Sequence, residues 1–390
     1  MKQKSRFRLH KIIYTLAGPV VAAMVLKYKY KTDKCPKLEG SYIVMANHTT
    51  ERDMAMVRCA FRQHMYIVCG EHLLRGKYAG LLKTFVDPIP EAKGTVASGT
   101  VLEIIRRCKR GHNVMIFPEG SRSFNGETAP VSVAAGKMVR LAGCGLVTYR
   151  VRGGYFIAPR WGYEYRKGRA SGKIVHIYTP EEIAAMTPQQ ITDAINADLY
   201  ENAYEVQREA MEPYRGKNRA EGLENYLLKC PECGAYDSMV TEGNDFRCGC
   251  CSVGGTYDEY GFLRGEKLRF DSVYDWGKWM QAEFDADMKQ REEGSLLFTD
   301  TDVRMYEILD DHTTRDIAQG DLRLYHDRME LGENVYLFRE IQAMSMLYFG
   351  KTLLFAVGER NYGITGEHYH AWKANRLYEL TEPARKKKRK

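Results

Sequence analysis

The 390-residue sequence has only one long apolar stretch, residues 12–26, and no low-complexity segment. A transmembrane helix needs about 20 apolar residues, and Gly18 and Pro19 interrupt this stretch. A chain that crosses a membrane repeatedly is therefore excluded. Hydrophobic residues make up 44% of the sequence, which excludes a disordered chain and allows two or three globular domains. The sequence also lacks a convincing serine or cysteine nucleophile.

The apolar stretch has basic residues on both sides, and Tyr28 and Tyr30 alternate with the lysines that follow it. This pattern predicts an interfacial or re-entrant membrane helix, with tyrosine and lysine side chains at the level of the headgroups. A signal peptide also combines a basic start with a short apolar run, and it is the competing interpretation.

Two short motifs each follow a strand-like apolar run. The first, NHTTERD at residues 47–53, presents His48 with Asp53 five positions later. This pair suits a general base and the group that orients it. The second, FPEGSRS at residues 117–123, places Arg122 beside a small turn, which suits a phosphate. Without a nucleophile, the histidine is expected to deprotonate a substrate hydroxyl, so that transfer is direct.

The first motif also has a structural interpretation. Thr50 followed by Asp53 resembles a capping box, in which the carboxylate stabilises a helix N-terminus. Five residues on an ideal helix separate two side chains by about 140°. His48 must therefore precede the first helical turn if it is to meet Asp53, and a strand that ends at Asn47 satisfies this condition.

Asn-His-x4-Asp followed by Phe-Pro-Glu-Gly-[Ser/Thr]-Arg-Ser is the hallmark pair of the 1-acyl-glycerol-3-phosphate acyltransferases, and roughly the first half of the chain resembles this family of lysophospholipid acyltransferases. The resemblance implies transfer of a fatty acyl group from acyl-CoA or acyl carrier protein to a lysophospholipid. The expected acceptor is 1-acyl-glycerol-3-phosphate, which would give phosphatidate. His48 would be the general base and Asp53 its partner. The implied substrate-binding residues are Asn47, Glu119, Gly120, Ser121 and Arg122.

One arginine of the family pattern is absent. The block between the two hallmarks usually ends in an acidic residue followed by arginine, whereas residues 85–88 read FVDP. Lys93 and Arg75 are the candidates to supply this charge. Because a thioester donor is cytosolic, the resemblance also argues against a signal peptide. It implies a peripheral or monotopic enzyme at the cytoplasmic face of a membrane, in contact with anionic lipid.

Cysteines concentrate in one segment, as CPEC at residues 230–233 and CGCC at 248–251. Two Cys-x2-Cys pairs separated by fourteen residues are typical of a zinc ribbon. We predict a structural zinc ion held by Cys230, Cys233, Cys248 and Cys251, with Cys250 as an extra thiol that can replace a neighbour. Disulfides are the alternative, which the reducing cytosol disfavours.

Alternating strands and helices in the first half predict an α/β fold with a mixed sheet flanked by helices. A small zinc ribbon and an α+β or antiparallel β C-terminal domain are expected to follow. The predicted units are an interfacial helix region (1–33), an acyltransferase domain (34–215), a zinc-ribbon-like segment (222–262), a β-rich domain with a closing helix (272–380) and a basic tail (381–390). Strands are predicted at 42–47, 66–69, 113–117, 146–151, 155–158 and 173–178, and one long helix from Thr187 to Pro213.

The net charge of +8 is unevenly distributed, because residues 385–390 are all basic and the rest of the chain is nearly neutral. Such a tail is usually solvated, but it can also attract anionic lipid by about 1 kcal/mol per lysine or arginine. The alternative function is a zinc-ribbon protein that binds nucleic acid or another partner, with a degenerate acyltransferase-like half. The intact motifs and the nearly neutral body argue against it, and we expect no nucleic-acid partner.

Overall fold

The computed structural model describes residues 2–74, 79–91, 98–292, 294–309 and 313–388, with the backbone alone at 2–5, 72, 98 and 382–388. Lys93, Arg75 and the basic side chains of the predicted tail at 385–390 lie outside this description. Three sheets organise the described chain, and they follow one another in sequence.

The first half forms a seven-stranded sheet with helices around it. Its elements are α1 (Lys2–Leu26), β1 (Lys31–Thr32), β2 (Tyr42–Ala46), α2 (Asp53–Ala60), β3 (Met65–Gly70), α3 (Ala79–Phe85), β4 (Ile89–Glu91), α4 (Ser98–Lys109), β5 (Asn113–Ile116), α5 (Val133–Ala142), β6 (Gly145–Arg152), α6 (Gly154–Ile157), β7 (Ser171–Tyr178), α7 (Pro180–Ala185), α8 (Pro188–Leu199) and α9 (Ala203–Ala210). The strand order is β1-β7-β6-β2-β5-β3-β4, and the β6–β7 pair is antiparallel while the other pairs are parallel. All five residues of the central strand β2 are buried, as expected for a strand covered on both faces. The predicted mixed α/β sheet is confirmed.

Two predicted elements are wrong. Residues 155–158 form the helical turn α6 instead of a strand, because Gly153 takes a φ of 78° and turns the chain after β6. The helix predicted to run from Thr187 to Pro213 is two helices, α8 and α9. Thr187 caps α8 as predicted, but the chain leaves the helix at Tyr200 and starts α9 afresh, where the side chain of Asn202 accepts the first free backbone N–H groups.

Helix α1 continues through Pro19, so the predicted interruption at Gly18 and Pro19 is also wrong. Among the described residues, α1 supplies one segment, Arg6–Leu26, that is long and apolar enough to cross a membrane. One side of α1 packs on the sheet domain. There the His10 imidazole bonds the Thr84 carbonyl oxygen at 3.0 Å, the Tyr14 carbonyl oxygen accepts from Arg58 at 2.7 Å, and Val25 is buried.

The second half contains two antiparallel sheets. The smaller has the order β11-β10-β9-β8 and the larger the order β15-β14-β13-β12-β18-β17-β16. The elements are β8 (Met239–Glu242), β9 (Asp245–Cys248), β10 (Gly254–Tyr257), β11 (Leu263–Arg264), α10 (Val273–Gln290), β12 (Phe298–Ile308), β13 (Thr314–Leu324), β14 (Arg328–Leu331), β15 (Asn334–Leu337), β16 (Ile341–Leu347), β17 (Thr352–Val357), β18 (Arg360–Thr365) and α11 (Ala371–Lys388). The predicted antiparallel C-terminal region is confirmed.

One continuous apolar cluster runs from the first sheet through the cysteine-containing segment to the C-terminal sheet. The Trp276 indole on α10 donates to the Lys229 carbonyl oxygen at 3.0 Å. Lys373 on α11 is 1% exposed and lies 2.7 Å from Asp237 and 2.6 Å from Asp300. These contacts join the cysteine-containing segment to the C-terminal sheet and its helices, and the apolar cluster joins both to the first half.

Candidate active site

The two sequence motifs meet at one edge of the first sheet. Strands β2 and β5 are parallel neighbours, with Met45 opposite Ile116, and each motif follows the carboxyl end of its strand. The backbone N–H of Ser123 donates to the carbonyl oxygen of His48 at 3.3 Å. The Glu119 carboxylate accepts the backbone N–H of His48 at 2.6 Å. The loops that carry the motifs are therefore bonded to each other directly.

His48 and Asp53 form a hydrogen-bonded pair. Nδ1 of His48 lies 3.0 Å from Oδ2 of Asp53. The carboxylate is completely buried and also accepts the backbone N–H groups of Thr49 at 2.5 Å and Thr50 at 2.9 Å, and the Thr49 hydroxyl at 3.0 Å. A carboxylate that accepts from the imidazole places the ring proton on Nδ1 and leaves Nε2 as the basic nitrogen.

The imidazole stacks on the Phe117 ring at 4.4 Å between centroids and remains 23% exposed. His48 precedes the helix, while Asp53 is the first residue of α2, as the pairing requires. The predicted capping box does not form, because the N-cap of α2 is Arg52 and it has no side-chain cap hydrogen bond. The Asp53 carboxylate accepts the Thr50 N–H of the loop before the helix, so it holds that loop as well as the imidazole.

Asn47 and Glu119 hold the loops in place. The amide of Asn47 donates to the Val151 carbonyl oxygen at 2.9 Å and accepts the Val151 N–H at 2.7 Å, which ties the end of β2 to β6. The second carboxylate oxygen of Glu119 accepts the N–H of Ala129 at 2.9 Å. Burial raises the pKa of Glu119 to about 8, although the backbone N–H groups of Ala129 and His48 that bond its carboxylate act in the opposite direction. The polar side-chain atoms of both residues are bonded within the protein, and their predicted contact with substrate stays a prediction.

A cavity of about 420 Å³ opens beside His48. Gly120, Ser121 and Arg122 of the second motif line it, and Gly120 takes a φ of 71° in the turn that presents them. The cavity also has apolar walls. Its lining from the first half includes Met54, Val68, Leu73, Ile116 and Phe117, and from the C-terminal sheet Met346, Leu347, Tyr348 and Phe349.

Arg122 faces this cavity and is held by a carboxylate. Its guanidinium donates to Glu51 at 3.1 Å, and the other oxygen of Glu51 accepts the Tyr165 hydroxyl at 2.5 Å. The Arg122 side chain is 15% exposed and Glu51 is 57% exposed. An anionic ligand can therefore replace Glu51 at the guanidinium, because the carboxylate can turn to solvent.

Sequence reasoning missed Arg160, a second buried arginine in the cavity wall. Its guanidinium donates to the carbonyl oxygens of Arg122 at 2.9 Å and Met346 at 2.5 Å, and it lies 4.1 Å from the centre of the Phe124 ring. No carboxylate among the described residues pairs with it. Burial, with the charge of Arg122 adding to the effect, lowers the pKa of Arg160 to about 9. The signal in the sequence that could have identified Arg160 is a charged residue inside the apolar run 155–161.

The acidic residue of the incomplete family block lies outside this cavity. Asp87 pairs with Arg107 of α4 at 3.2 Å and takes a φ of 49° at the end of α3. Lys93 and Arg75, the predicted sources of the missing charge, are outside the described residues. Among those that are described, Arg52, Arg122 and Arg160 bring guanidinium groups to the cavity.

The four cysteines predicted to bind zinc come together in the second half. The sulfur atoms of Cys230, Cys233, Cys248 and Cys251 all lie within 4.8 Å of one another. The Cys230–Cys251 and Cys233–Cys248 sulfur pairs are each 3.7 Å apart, far longer than the 2.05 Å of a disulfide. Cys250 is exposed and its sulfur is outside the group. The arrangement can hold a metal ion, and the disulfide alternative does not fit.

Residues 27–152, which include both motifs, match the family model described as Acyltransferase. None of the curated proteins compared matches the chain significantly. The chain is similar to the crystal structure of the 1-acyl-sn-glycerophosphate (LPA) acyltransferase PlsC from Thermotoga maritima, with a TM-score of 0.43 and 16% identity over 53% of this chain and 83% of that one. The family match covers about a third of the chain, and it supports an acyltransferase domain at residues 27–152.

Proposed function

We propose that the protein is an O-acyltransferase that moves a fatty acyl group from a thioester, acyl-CoA or acyl carrier protein, to the hydroxyl of a lysophospholipid. The acceptor we favour is 1-acyl-glycerol-3-phosphate, which would yield phosphatidate. One observation carries the proposal: His48, which is hydrogen-bonded to the buried Asp53, and Arg122 line the same cavity. A base and an anion anchor that line one cavity suit an acceptor that carries both a hydroxyl and a phosphate.

The residues support direct transfer in one addition and one elimination. With the proton of the imidazole on Nδ1 and donated to Asp53, Nε2 is the basic nitrogen and takes the proton of the acceptor hydroxyl. The hydroxyl oxygen then bonds the thioester carbonyl carbon. As the tetrahedral species collapses, the carbon–sulfur bond breaks, and the thiolate receives the proton from the imidazolium. The products are an ester and a free thiol.

Two arginines support an anionic acceptor. Arg122 is paired with an exposed carboxylate that a phosphate can displace, and Arg160 is buried against it with carbonyl oxygens as its hydrogen-bond partners. A buried guanidinium without a carboxylate is costly, and a phosphate that enters the cavity would lower that cost. Arg160 thereby offers the charge that the family block at residues 85–88 lacks.

Replacement of Arg122 by alanine is expected to raise the KM for the lysophospholipid by roughly 10–100-fold, since a hydrogen bond to a charged group contributes about 1.5–3 kcal/mol. The KM for the thioester should change much less. Steady-state kinetics with each substrate varied in turn would measure both. The backbone carbonyl of Arg122, which accepts from Arg160, is retained in this variant.

Arg169→Ala is the matched control, because Arg169 forms an exposed ion pair with Glu212 at 2.7 Å. It should leave both KM values unchanged. Equal losses of affinity for acceptor and donor in Arg122→Ala would contradict the role of Arg122 in phosphate binding.

We further propose that α1 lies in the interface of a membrane at its cytoplasmic face. The side of α1 opposite His10 and Tyr14 is apolar and exposed, at positions Leu9, Ile12, Leu16, Val20 and Met24. If α1 crossed the bilayer, the sheet domain that packs on one side of it would also have to lie in the hydrocarbon. A helix that lies flat buries the exposed side in lipid and keeps the domain in water. Lys27, Lys29 and Lys31 would then meet anionic headgroups.

Leu16→Glu with Val20→Glu is expected to weaken binding to vesicles of mixed phosphatidylglycerol and phosphatidylcholine by roughly 100-fold or more, because burial of each apolar side chain contributes about 1.5–3 kcal/mol. The two side chains are 72% and 64% exposed, so the fold should tolerate the change. Vesicle flotation would measure the loss. Leu296→Glu with Val335→Glu, at exposed positions in the second half, should bind as the unmodified protein does. Unchanged flotation of the α1 variant would contradict the proposal.

We also propose that Cys230, Cys233, Cys248 and Cys251 bind a structural zinc ion. Zinc–sulfur bonds of about 2.3 Å in a tetrahedron place the sulfur atoms about 3.8 Å apart. The Cys230–Cys251 and Cys233–Cys248 sulfur separations of 3.7 Å agree with this value. When bound, zinc would hold the two cysteine loops together, and it takes no part in the transfer step.

A further inference from the structure

We propose that the C-terminal sheet completes the active site: residues Met346, Leu347, Tyr348 and Phe349, here named the C-terminal wall, form an apolar surface on which a fatty acyl chain lies. The inference rests on the proposed function, because it assigns a part of the same cavity. The family match ends at residue 152, so these residues lie about 200 positions beyond it.

The C-terminal wall lines the same cavity as His48 and Arg122. It faces apolar residues of the first half, among them Met54 and Ile116. A cavity of about 420 Å³ falls within the usual range for ligand sites, about 300–1,000 Å³. Charged and apolar groups that share one cavity match a ligand with an anionic head and an apolar chain.

Several contacts fix the C-terminal wall on the first half. Arg160 donates to the carbonyl oxygen of Met346, and the ring of Phe349 packs edge-on against Tyr163 at 4.9 Å. The ammonium of Lys351 lies 5.6 Å from the same tyrosine ring. The wall is therefore held against the first half by Arg160, which lines the cavity, and by Tyr163.

The backbone of the wall is strained where it enters the turn between β16 and β17. Tyr348 has a φ of 45° and Phe349 a φ of 62°, a region that residues other than glycine rarely adopt. Two such residues in succession persist only where the surroundings hold them, and such strain concentrates at functional sites. Tyr348 is also 59% exposed, so its ring offers a large surface at the cavity.

Variants of Leu347 test the inference, because its side chain lines the cavity from the end of β16. Tryptophan at this position fills space and alanine opens it. In the full-length protein, kcat/KM would be measured for donors from decanoyl-CoA to stearoyl-CoA with one acceptor, and then for acceptors of the same chain range with one donor. We expect Leu347→Trp to lower the preference for long over short chains by about tenfold or more, and Leu347→Ala to shift it the other way.

The two substrate series distinguish the source of the chain. A shift in the donor series alone assigns the wall to the transferred chain, and a shift in the acceptor series alone assigns it to the chain already on the acceptor. Leu296→Trp and Leu296→Ala, at an exposed position of the same unit, are the matched controls and should shift neither. Thermal unfolding of each variant would establish that it is folded.

Binding of a fluorescent long-chain fatty acid provides a readout that does not require transfer. If no donor and acceptor pair reacts but Leu347→Trp weakens the binding of this probe about tenfold or more, the proposed function is wrong. The C-terminal wall is then still a surface that binds an acyl chain. If transfer occurs, and both chain preference and probe binding in folded Leu347→Trp and Leu347→Ala equal those of the unmodified protein, the wall is overturned.

Discussion

Replacement of His48 by alanine is expected to reduce kcat/KM for acyl transfer by roughly 10²–10⁴-fold, the range found for loss of a general base. The fold should survive, because Asp53 keeps its three other donors, the N–H groups of Thr49 and Thr50 and the Thr49 hydroxyl. The buried carboxylate is therefore not left unpaired, which is the usual cause of a large loss of stability. Release of free thiol from the donor would measure the rate.

A matched control separates chemistry from general damage. His368 is exposed and lies in the second half, away from the cavity lining, so His368→Ala should retain full activity. Circular dichroism and thermal unfolding would compare both variants with the unmodified protein. Transfer at an undiminished rate by folded His48→Ala would remove the base from the mechanism and, with it, the function proposed for the cavity.

The meeting of the two motifs could be predicted from sequence because the geometry is local to each strand. Each motif follows a short apolar strand, and in an α/β sheet the carboxyl ends of parallel strands share one edge. A helix that begins after His48, as predicted, also places the Asp53 carboxylate near the imidazole. Similarly, the spacing of the four cysteines determined which of them can converge, and the structure leaves Cys250 outside as the prediction had it.

The hydrogen-bond partners of Asn47 and Glu119 could not be predicted, because these partners are distant in sequence. Val151 and Ala129 bond them through backbone atoms, which carry no sequence signal. The prediction of a strand at residues 155–158 is wrong for a related reason. A four-residue apolar run fits a buried strand and a buried helical turn equally well, and only the preceding glycine distinguishes them.

The position of the C-terminal wall at the cavity could not be predicted from sequence motifs. Residues 346–349 read as part of an ordinary apolar strand and turn, with nothing to connect them to His48 some 300 positions earlier. The sequence does carry a signal for Arg160, since a charged residue within an apolar run requires either a partner or a ligand. Its bond to the Met346 carbonyl oxygen then links the anion site to the wall.

Loss of the zinc site is expected to have the largest effect on stability. Structural zinc in small peptides contributes about 10–16 kcal/mol of apparent binding free energy, which equals or exceeds the stability of a typical domain at about 5–15 kcal/mol. The cysteine segment also supports its neighbours, because Lys229, directly before Cys230, bonds both Trp276 and Asp287 of α10. Unfolding of this segment should therefore release α10 and displace the C-terminal wall from the cavity.

Cys230→Ser is the variant to test, since Cys230 is buried within the four-sulfur group. We expect the unmodified protein to carry one zinc ion per chain by elemental analysis, and the variant to carry none. Limited proteolysis should then cut within residues 222–262, and acyl transfer should be lost even though His48 and Asp53 are intact. Cys250→Ser is the control, and it should keep its zinc and its activity because the Cys250 sulfur is outside the group. A Cys230→Ser protein that binds zinc as the unmodified chain does, or an unmodified chain that is free of metal and equally stable in a chelator, would show that packing alone holds the segment.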